Sequence, residues 1–532
     1  MPYNSQTFND EPLTRSRRTR LWEEEEDESG AEWPQRKTRN PEPDEAAPEW
    51  VAPAAQAGNA VQGDDDELLA SETPSTPPLR QRTASAAVVK TWPALKQGHT
   101  LSFAGLLLFT AITYFRPYEL IPALSGFTSM AFWAAVLTLL AFIPTQISLE
   151  GTLTARPREI NLVLLLLLAG LLSIPFAIVP SEAWNAFVDF TKVITMFVVM
   201  VNVMRTEWRW RWMFWLALLV SIILSVYALI DYHLGNVKVG GDRIEGVING
   251  GIFGNPNDMA LHLVTMIPLA LGLLFVARGF HRKLFYGLCA LLMLAAIVVT
   301  FSRGGFLALV CASFVLAWKL GRRHRVAVVT LFLLAGIIFF TLVPSSFIAR
   351  VSSSFGGDLD GGSAAARQTL LWQSVIVTLR NPLFGIGMNN FHNVSAREQV
   401  SHNAYTEVSA EMGVFALVVY AFFIWSAFRR MRGIERETYD SRSQTRVYYL
   451  AVGLQASLIG YMVGSFFASV AYQWYIYYLV GYALCLHRLY EAKGAAIFSY
   501  KSVSKPSTIM EESKDTASVT LAATLPRVGH TG

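Results

Sequence analysis

The chain has 532 residues, of which 52% are hydrophobic and only 16% charged, and its mean hydropathy is +0.35. Soluble globular domains carry about 25% charged residues, so this composition excludes an ordinary soluble protein and indicates a membrane protein. The formal net charge of +4 does not point to a nucleic-acid partner. Basic residues beside apolar segments are instead typical of the cytoplasmic loops of membrane proteins.

The first 98 residues differ from the rest of the chain in charge and hydrophobicity. They contain 18 acidic and 11 basic residues and are rich in Pro, Ala, Ser and Glu. A segment this polar cannot bury enough apolar surface to offset the entropy of ordering. We therefore predict that residues 1–98 form a disordered cytoplasmic tail and that residues 491–532 form another. Residues 1–20 lack the apolar stretch of a secretory signal, so the first membrane helix is expected to direct insertion.

Between the tails, residues 99–490 contain twelve apolar segments. Most approach the roughly 20 residues that cross about 30 Å of hydrocarbon. Such continuous runs span membranes as helices, because their backbone polar groups must pair within the segment. We predict an all-α, polytopic integral membrane protein with about twelve transmembrane helices. The segments are 101–115, 128–147, 160–179, 187–204, 212–231, 257–277, 284–301, 304–318, 326–343, 404–427, 447–464 and 472–487.

Lysine and arginine are distributed unevenly over the connections between these segments. If the first tail is cytoplasmic, every even-numbered connection is basic, and this positive-inside pattern predicts that both termini are cytoplasmic. Residues 344–403 then form a large periplasmic loop between helices nine and ten. Long loops in compact proteins are often functional, and this one contains helix-like sequence from Thr369 to Leu379. We expect it to fold over the outer face.

Arginines on the outer side are exceptions to the positive-inside pattern. Arg303 stands in the short turn Ser302-Arg303-Gly304-Gly305 between two apolar helices. A charge at that depth is costly, and a functional role is favoured over simple snorkelling to head groups. Arg243 lies in a glycine-rich loop beside Asp242 and Glu245, where an ordinary surface ion cluster is an equally good interpretation. Arg367 is a further arginine of this side.

The helix that follows the long loop begins with a polar face. Asn403, Glu407 and Glu411 recur at intervals of four residues and therefore share one side of the helix. Two carboxylates entering a membrane helix are unusual, although Glu411 alone could pair with a structural arginine. His402 precedes them, and a histidine can exchange a proton with a hydroxyl near neutral pH. Alone, His402 is equally well explained as a polar residue at a helix end.

Earlier in the chain, the segment Phe253-Gly254-Asn255-Pro256-Asn257-Asp258 leads into the sixth membrane helix, and we predict Asn257 or Asp258 as its N-cap.

Together, outer-face arginines and a histidine suit a lipid diphosphate donor. Guanidinium groups bind phosphate oxygens in pairs and stabilise charge on a departing diphosphate. The histidine would accept a proton from an attacking sugar hydroxyl. The three cysteines lie in apolar stretches, and their spacing predicts no metal site.

These motifs resemble the O-antigen ligase and polymerase superfamily. The resemblance extends over about residues 100–490 and is strongest from 240 to 420. Its elements are short, but they occur in the family's order and share the outer face. They are the Arg243 loop ending in Phe253-Gly254-Asn255-Pro256-Asn257, the Ser302-Arg303-Gly304-Gly305 turn, Arg367 with Trp372, Asn381-Pro382-Leu383-Phe384-Gly385-Ile386-Gly387 with Phe391, and His402-Asn403 ahead of Glu411 and Gly413.

The resemblance implies a protein of the bacterial inner membrane that transfers a glycan from undecaprenyl diphosphate without a metal or other cofactor. The family's two essential arginines and its histidine fall on Arg243, Arg303 and His402. We expect these three to be catalytic. The expected substrate-binding residues are Asn403, Glu407, Glu411 and Arg367.

The acceptor implied by the resemblance is the outer-core sugar of lipid A–core for a ligase, a second lipid-linked repeat for a polymerase, or a protein for an O-glycosylating oligosaccharyltransferase. Membrane lipids surround such a protein. The ligase pattern has Gly, Thr or Tyr where this chain has Ala416, which weakens the lipid A–core ligase prediction relative to the polymerase.

Two further functions remain open from the sequence. A metal-dependent glycosyltransferase would use Asp358 and Asp360, although their glycine-rich surroundings are more typical of a flexible loop. A lipid-glycan flippase or transporter would carry charged or broken helices near the membrane midplane, often in two related halves. The chain has no convincing internal repeat, and its polar candidates cluster at the outer face, which favours surface chemistry over transport.

Overall fold

The computed structural model describes residues 98–120, 122–235, 253, 255–322, 324–342, 363–396, 398–442, 446–494 and 532. All of them belong to one compact unit, Ala86–Gly532. The predicted disordered tails therefore lie almost wholly outside the described residues. The described residues also exclude Arg243, Asp358 and Asp360.

Fourteen α-helices, and no strand, are found in these described ranges. They are α1 Thr100–Phe115, α2 Pro117–Leu120, α3 Met130–Glu150, α4 Arg158–Ser173, α5 Pro180–Val203, α6 Glu207–His233, α7 Pro256–Val276, α8 Phe280–Val299, α9 Arg303–Leu320, α10 Arg325–Leu342, α11 Ser363–Arg380, α12 Ala404–Thr438, α13 Val447–Gly464 and α14 Trp474–Lys493.

The predicted all-α membrane architecture is confirmed in its general form. Each of the twelve apolar segments lies largely within one of the long helices. Within the described part of the chain, nine helices are long and apolar enough to cross a membrane, and α1 and the first part of α10 are apolar but shorter. Helix α14 is not among the nine because its tyrosines and its charged last turns reduce its hydropathy. The predicted helix within the long loop is present as α11.

Helices α14, α13 and α7 form much of the interior. Every residue of α14 from 475 to 486 is buried. Helices α7 and α13 approach closely because Gly453 has no side chain. A Cβ atom there would lie 2.9 Å from the carbonyl oxygen of Pro268. The Ser457 hydroxyl donates a hydrogen bond to the carbonyl of Thr265 over 2.6 Å. Small residues and interhelical hydrogen bonds of this kind join helices where the surrounding lipid offers no hydrophobic driving force.

Buried ion pairs join the helices at one end of the protein, which we call the arginine-rich end. There the Glu435 carboxylate of α12 is fully buried. It accepts hydrogen bonds from Lys319 at 2.6 Å, from Arg322 and from the Gln455 amide at 3.0 Å. The ends of α9 and α12 and the first half of α13 therefore meet around one carboxylate.

Two other carboxylates have the same role at the arginine-rich end. Glu159 at the start of α4 is buried and receives two hydrogen bonds from Arg430, at 2.6 and 3.0 Å. Glu150 at the end of α3 pairs with the buried Arg205 at 2.8 Å. Several arginines of the predicted cytoplasmic connections thus fix helix ends rather than only facing lipid head groups.

We predict that Glu435→Gln lowers the free energy of unfolding by about 2–4 kcal/mol, because it leaves Lys319 and Arg322 without their buried counter-charge. Denaturant titration in detergent micelles measures the change. Asp440→Asn is the matched control, because Asp440 is exposed at the same end of α12. Equal stability of the two variants would contradict a structural role for the Glu435 cluster.

Candidate active site

The Arg303 turn is held against the start of α7. Ser302 caps α9, since its Oγ accepts a hydrogen bond from the backbone N–H of Gly305 at 3.2 Å. The same hydroxyl donates to the Asn257 side chain at 2.9 Å. Arg303 is the first residue of α9 and is partly buried. The two motifs that the sequence places 45 residues apart are therefore in direct contact.

The start of α7 differs from the prediction. Neither Asn257 nor Asp258 is its N-cap, because the helix begins at Pro256 and Asn255 is the cap. The Asn255 side chain accepts a hydrogen bond from the N–H of Asn257 at 2.9 Å. Proline is favoured at the first position of a helix, where its missing N–H costs nothing. Asn257 is consequently available to bind Ser302.

His402 lies in a strained position two residues before the first residue of α12. Its φ angle is 52°, in the left-handed region, and a non-glycine residue is held there only by its surroundings. Its backbone N–H donates to the Ser469 hydroxyl at 3.0 Å. Asn403 caps α12, and its Oδ1 accepts from the N–H groups of Tyr405 and Thr406 at 2.9 and 3.2 Å.

The electrostatic surroundings of His402 favour its neutral form. Burial and the positive charge of neighbouring Arg367 lower the pKa of His402 below its ordinary value of 6.5. Both effects disfavour the imidazolium. The ring is therefore neutral at pH 7 and can accept a proton. Arg367 belongs to α11, so the helix of the long loop brings a positive charge close to the histidine.

Glu407 is a buried carboxylate with incomplete hydrogen bonding. It is only 7% exposed, and its Oε2 has no hydrogen-bond partner among the described residues. The carboxylate lies beside the Ser469 hydroxyl and the N–H of Ala471, with Asp258 and Glu411 as its acidic neighbours. A buried acceptor left unmatched is costly and needs a reason to be retained.

The Glu411 carboxylate, one turn further along α12, organises a loop. Its Oε2 accepts hydrogen bonds from the N–H of Asn389 at 2.7 Å and from the Tyr472 hydroxyl at 2.9 Å. Its Oε1 accepts from the N–H of Phe391 at 3.2 Å. In this structure the Glu411 side chain therefore connects α12 to the segment before α14 and to the loop that follows α11.

That loop fills a break in α12. Gly413 has φ 88° and ψ 169°, which are not helical angles. The carbonyls of Ala410 and Glu411 accept instead from the N–H groups of Ile386 and Gly387, both at 3.0 Å. The Val414 N–H in turn donates to the carbonyl of Pro382 at 2.8 Å. The loop thus satisfies backbone groups that the break would leave without partners.

The loop after α11, and α11 itself, make further contacts near the start of α12. Asn390 of the same loop is fully buried and accepts from the N–H of Val179, just before α5, at 2.6 Å. Helix α11 packs on the start of α12, where the Thr378 and Ser409 hydroxyls lie 2.9 Å apart. The long loop contains the helix that its sequence predicts, and this helix packs at the end of the protein where α12 begins. We call this the site end.

Among the predicted residues, the structure brings Glu407 and Glu411 together and sets Arg367 beside His402. Asn403 is the N-cap of α12, and Arg303 is the first residue of α9. The sequence did not identify Ser469, which contacts both the His402 backbone and the Glu407 carboxylate. Polar residues at the connection before α14 could have indicated it. Within the described ranges, no group of three His, Cys, Asp or Glu side chains could hold a metal ion.

Comparison with known proteins agrees with the motifs. Residues 288–421 match the family model described as O-antigen ligase. The matched segment runs from the second half of α8 to the first half of α12 and includes Arg303, Arg367, His402 and Glu411. It confirms the resemblance to O-antigen ligases and polymerases. A comparison with curated protein sequences gives no match.

We predict that Gly413→Ala and Gly385→Ala each lower the free energy of unfolding by more than about 2 kcal/mol. Both glycines have positive φ angles, where an alanine is strained by about 1–2 kcal/mol. Their added Cβ atoms would also meet backbone atoms at 2.2 and 2.3 Å. Thermal unfolding in detergent measures the effect.

Gly433→Ala is the matched control on the same helix, because a Cβ there meets nothing within 4 Å. It should be neutral or stabilising by up to about 1 kcal/mol. Similar losses at positions 413 and 433 would contradict the proposed requirement for a glycine at the break.

Proposed function

From the O-antigen ligase domain that the chain carries at residues 288–421, we infer that the protein is a glycan transferase acting on a lipid-linked donor. The observation that carries the proposal is the placement of His402 within that domain. It is a partly buried histidine beside Arg367 of the long loop. Its backbone N–H donates to Ser469, and Phe467 of the same segment packs against Gly304 in the Arg303 turn.

The proposed donor is a glycan linked to undecaprenyl diphosphate. Arg303 would bind the diphosphate, together with Arg243, which lies outside the described residues, and Arg367. Guanidinium groups form paired, charge-assisted hydrogen bonds with phosphate oxygens. As the bond between the sugar C1 and the phosphate oxygen breaks, its electron pair leaves with undecaprenyl diphosphate. Fixed positive charges stabilise this leaving group most strongly in the transition state.

His402 is the proposed general base. The acceptor hydroxyl attacks the sugar C1, a new C–O bond forms, and the hydroxyl proton passes to the imidazole. A neutral histidine is required for this step, and the lowering of the His402 pKa by burial and by Arg367 favours that state. The backbone contact with Ser469 holds the residue in its left-handed conformation, which supports a fixed orientation of the ring.

Asn403 and Glu407 are proposed to bind sugar hydroxyls. The Asn403 Nδ2 and the Glu407 Oε2 are buried and have no hydrogen-bond partner among the described residues. One is a donor and the other an acceptor, which is the combination that a hydroxyl group satisfies. We propose for Glu411 an indirect role through the loop that it holds, because its described hydrogen bonds go to that loop and to Tyr472.

We further propose that the site faces the periplasm of a bacterium and that the chain spans its inner membrane twelve times with both termini in the cytoplasm. The distribution of arginine supports this orientation, since Arg205, Arg322 and Arg430 lie at the end opposite the site. Cytoplasmic connections are the ones that accumulate arginine.

The acceptor is proposed to be a hydroxyl of a cell-surface glycan or glycolipid, with lipid A–core, a lipid-linked repeat and a protein as the three classes. Glycan analysis of a deletion strain separates them. Loss of chain length indicates a polymerase, loss of attachment to lipid A–core indicates a ligase, and loss of protein glycans indicates an oligosaccharyltransferase.

We predict that His402→Ala reduces glycan transfer by about 10²–10⁴-fold, the range for loss of a general base. Arg303→Ala should reduce it by at least about 10²-fold through lost charge stabilisation. Membrane insertion should be unchanged in both. Transfer is measured by complementation of a deletion strain, and in purified protein with and without a chelator, where we expect no effect of the chelator.

The controls are His392→Ala and Arg380→Ala. His392 lies in the same loop region, 3.5 Å from Glu182, and Arg380 is exposed at the end of α11. Both should retain transfer. Full activity of His402→Ala or Arg303→Ala would contradict the site assignment, and loss of activity in chelator would favour metal-dependent transfer.

The rate of transfer should also depend on pH through His402. Because the pKa of His402 is lowered, the midpoint of the acid limb should lie below the ordinary histidine value of 6.5. Removing the positive charge in Arg367→Gln should raise this pKa and move the acid limb of the profile to higher pH, whereas Arg367→Lys should leave it near the wild-type position. An unchanged acid limb in Arg367→Gln would contradict the coupling.

A further inference from the structure

A second cluster of arginines lines a cavity at the arginine-rich end, far along the helices from the proposed active site. Arg211 near the start of α6, Arg282 near the start of α8 and Arg446 immediately before α13 all border it. The cavity has a volume of about 590 Å³. Three helices therefore contribute one guanidinium group each to one space.

The charges in this cluster are mostly of one sign. Burial and the charges of Arg211, Arg278 and Arg282 lower the pKa of Arg446, which means that the guanidinium groups repel one another. Among the described residues, the Glu207 carboxylate lies 3.6 Å from Arg211 and 3.8 Å from Lys493. The arginines place several positive charges around one cavity, which makes it complementary to an anion.

Aromatic side chains also line the arginine cavity. The Trp215 ring of α6 lies 5.6 Å from that of Phe285 and 5.8 Å from that of Tyr286 on α8. Tryptophan and tyrosine are enriched where membrane proteins cross the lipid head-group region. The cavity is therefore expected to lie at the depth of lipid phosphates.

An apolar groove adjoins the cavity on the other side of α6. It has a volume of about 820 Å³ and runs between α1 and α6, and its lining includes Leu107, Leu108 and Trp212. Arg211 and Trp215 border both spaces. A cationic cavity and an apolar groove that share a wall match the two parts of a lipid molecule.

We propose that the arginine cavity binds the phosphate head group of an anionic phospholipid, with an acyl chain of that lipid in the groove between α1 and α6. Guanidinium groups from separate helices bind the phosphate oxygens, and basic cavities between membrane helices on the cytoplasmic side are suited to such head groups. The adjoining groove favours a lipid over free phosphate. The bound lipid would relieve the repulsion among the arginines and join α6, α8 and α13.

The experiment measures lipid binding by the full-length protein, purified in detergent and stripped of lipid. Native mass spectrometry compares retention of phosphatidylglycerol with that of phosphatidylcholine of the same acyl chains. The wild type should prefer the anionic lipid by at least about tenfold, since each arginine near a phosphate adds to the affinity. Arg211→Gln/Arg282→Gln/Arg446→Gln should lose that preference.

The matched control is Arg429→Gln/Arg432→Gln/Arg436→Gln, which removes the same charge from exposed positions near the arginine-rich end. It should keep the preference. Arg282→Gln alone changes an exposed side chain, and it should reduce the preference even if the triple variant does not fold.

Three results would overturn the proposal. They are equal retention of the two lipids by the wild type, an unchanged preference in Arg282→Gln, and an equal loss in the control variant.

Inorganic phosphate is the remaining arm of the experiment. Competition by millimolar phosphate as strong as that by phosphatidylglycerol would show a phosphate site rather than a lipid site. None of these readouts depends on glycan transfer, so they test lipid binding separately from the proposed function.

Discussion

At Gly413 the longest helix of the protein leaves helical geometry, and the loop that follows α11 supplies the hydrogen bonds that the break removes. The Glu411 carboxylate then holds the same loop from within the helix. Because a side chain at Gly385 or Gly413 would collide with backbone, the contact depends on these two glycines. The first turns of α12, with the residues around His402, are consequently fixed to the long loop rather than only to the membrane helices.

Buried carboxylates have different neighbours at the two ends of the helix bundle. At the arginine-rich end, Glu435, Glu159 and Glu150 each meet a guanidinium or ammonium group at hydrogen-bond distance. At the site end, the Glu407 carboxylate has acidic neighbours and one oxygen without a described partner. Burial of unmatched polar groups lowers stability. Two such groups, Asn403 Nδ2 and Glu407 Oε2, lie close to His402, where a polar substrate would complete their hydrogen bonds.

Hydropathy and charge were sufficient to predict the helices, because continuous apolar runs have few structural alternatives in a membrane. The same reasoning singled out Arg303 as a costly charge. The N-cap of α7 was predicted at Asn257 or Asp258 instead of Asn255. The prediction did not take Pro256 as the first helical residue, although proline favours that position. The break at Gly413 and the role of Ser469 could not be predicted, since both depend on contacts between segments distant in the chain. The sequence analysis named Gly413 as part of the family motif but did not predict a break there.

A structure of the protein with a lipid-diphosphate glycan bound tests the central claim most directly. The account predicts that the diphosphate lies within hydrogen-bond distance of the Arg303 guanidinium, with the sugar C1 facing His402 and sugar hydroxyls near Glu407. Density for the diphosphate at the arginine-rich end instead, with Arg303 and His402 making no contact with the donor, would contradict it.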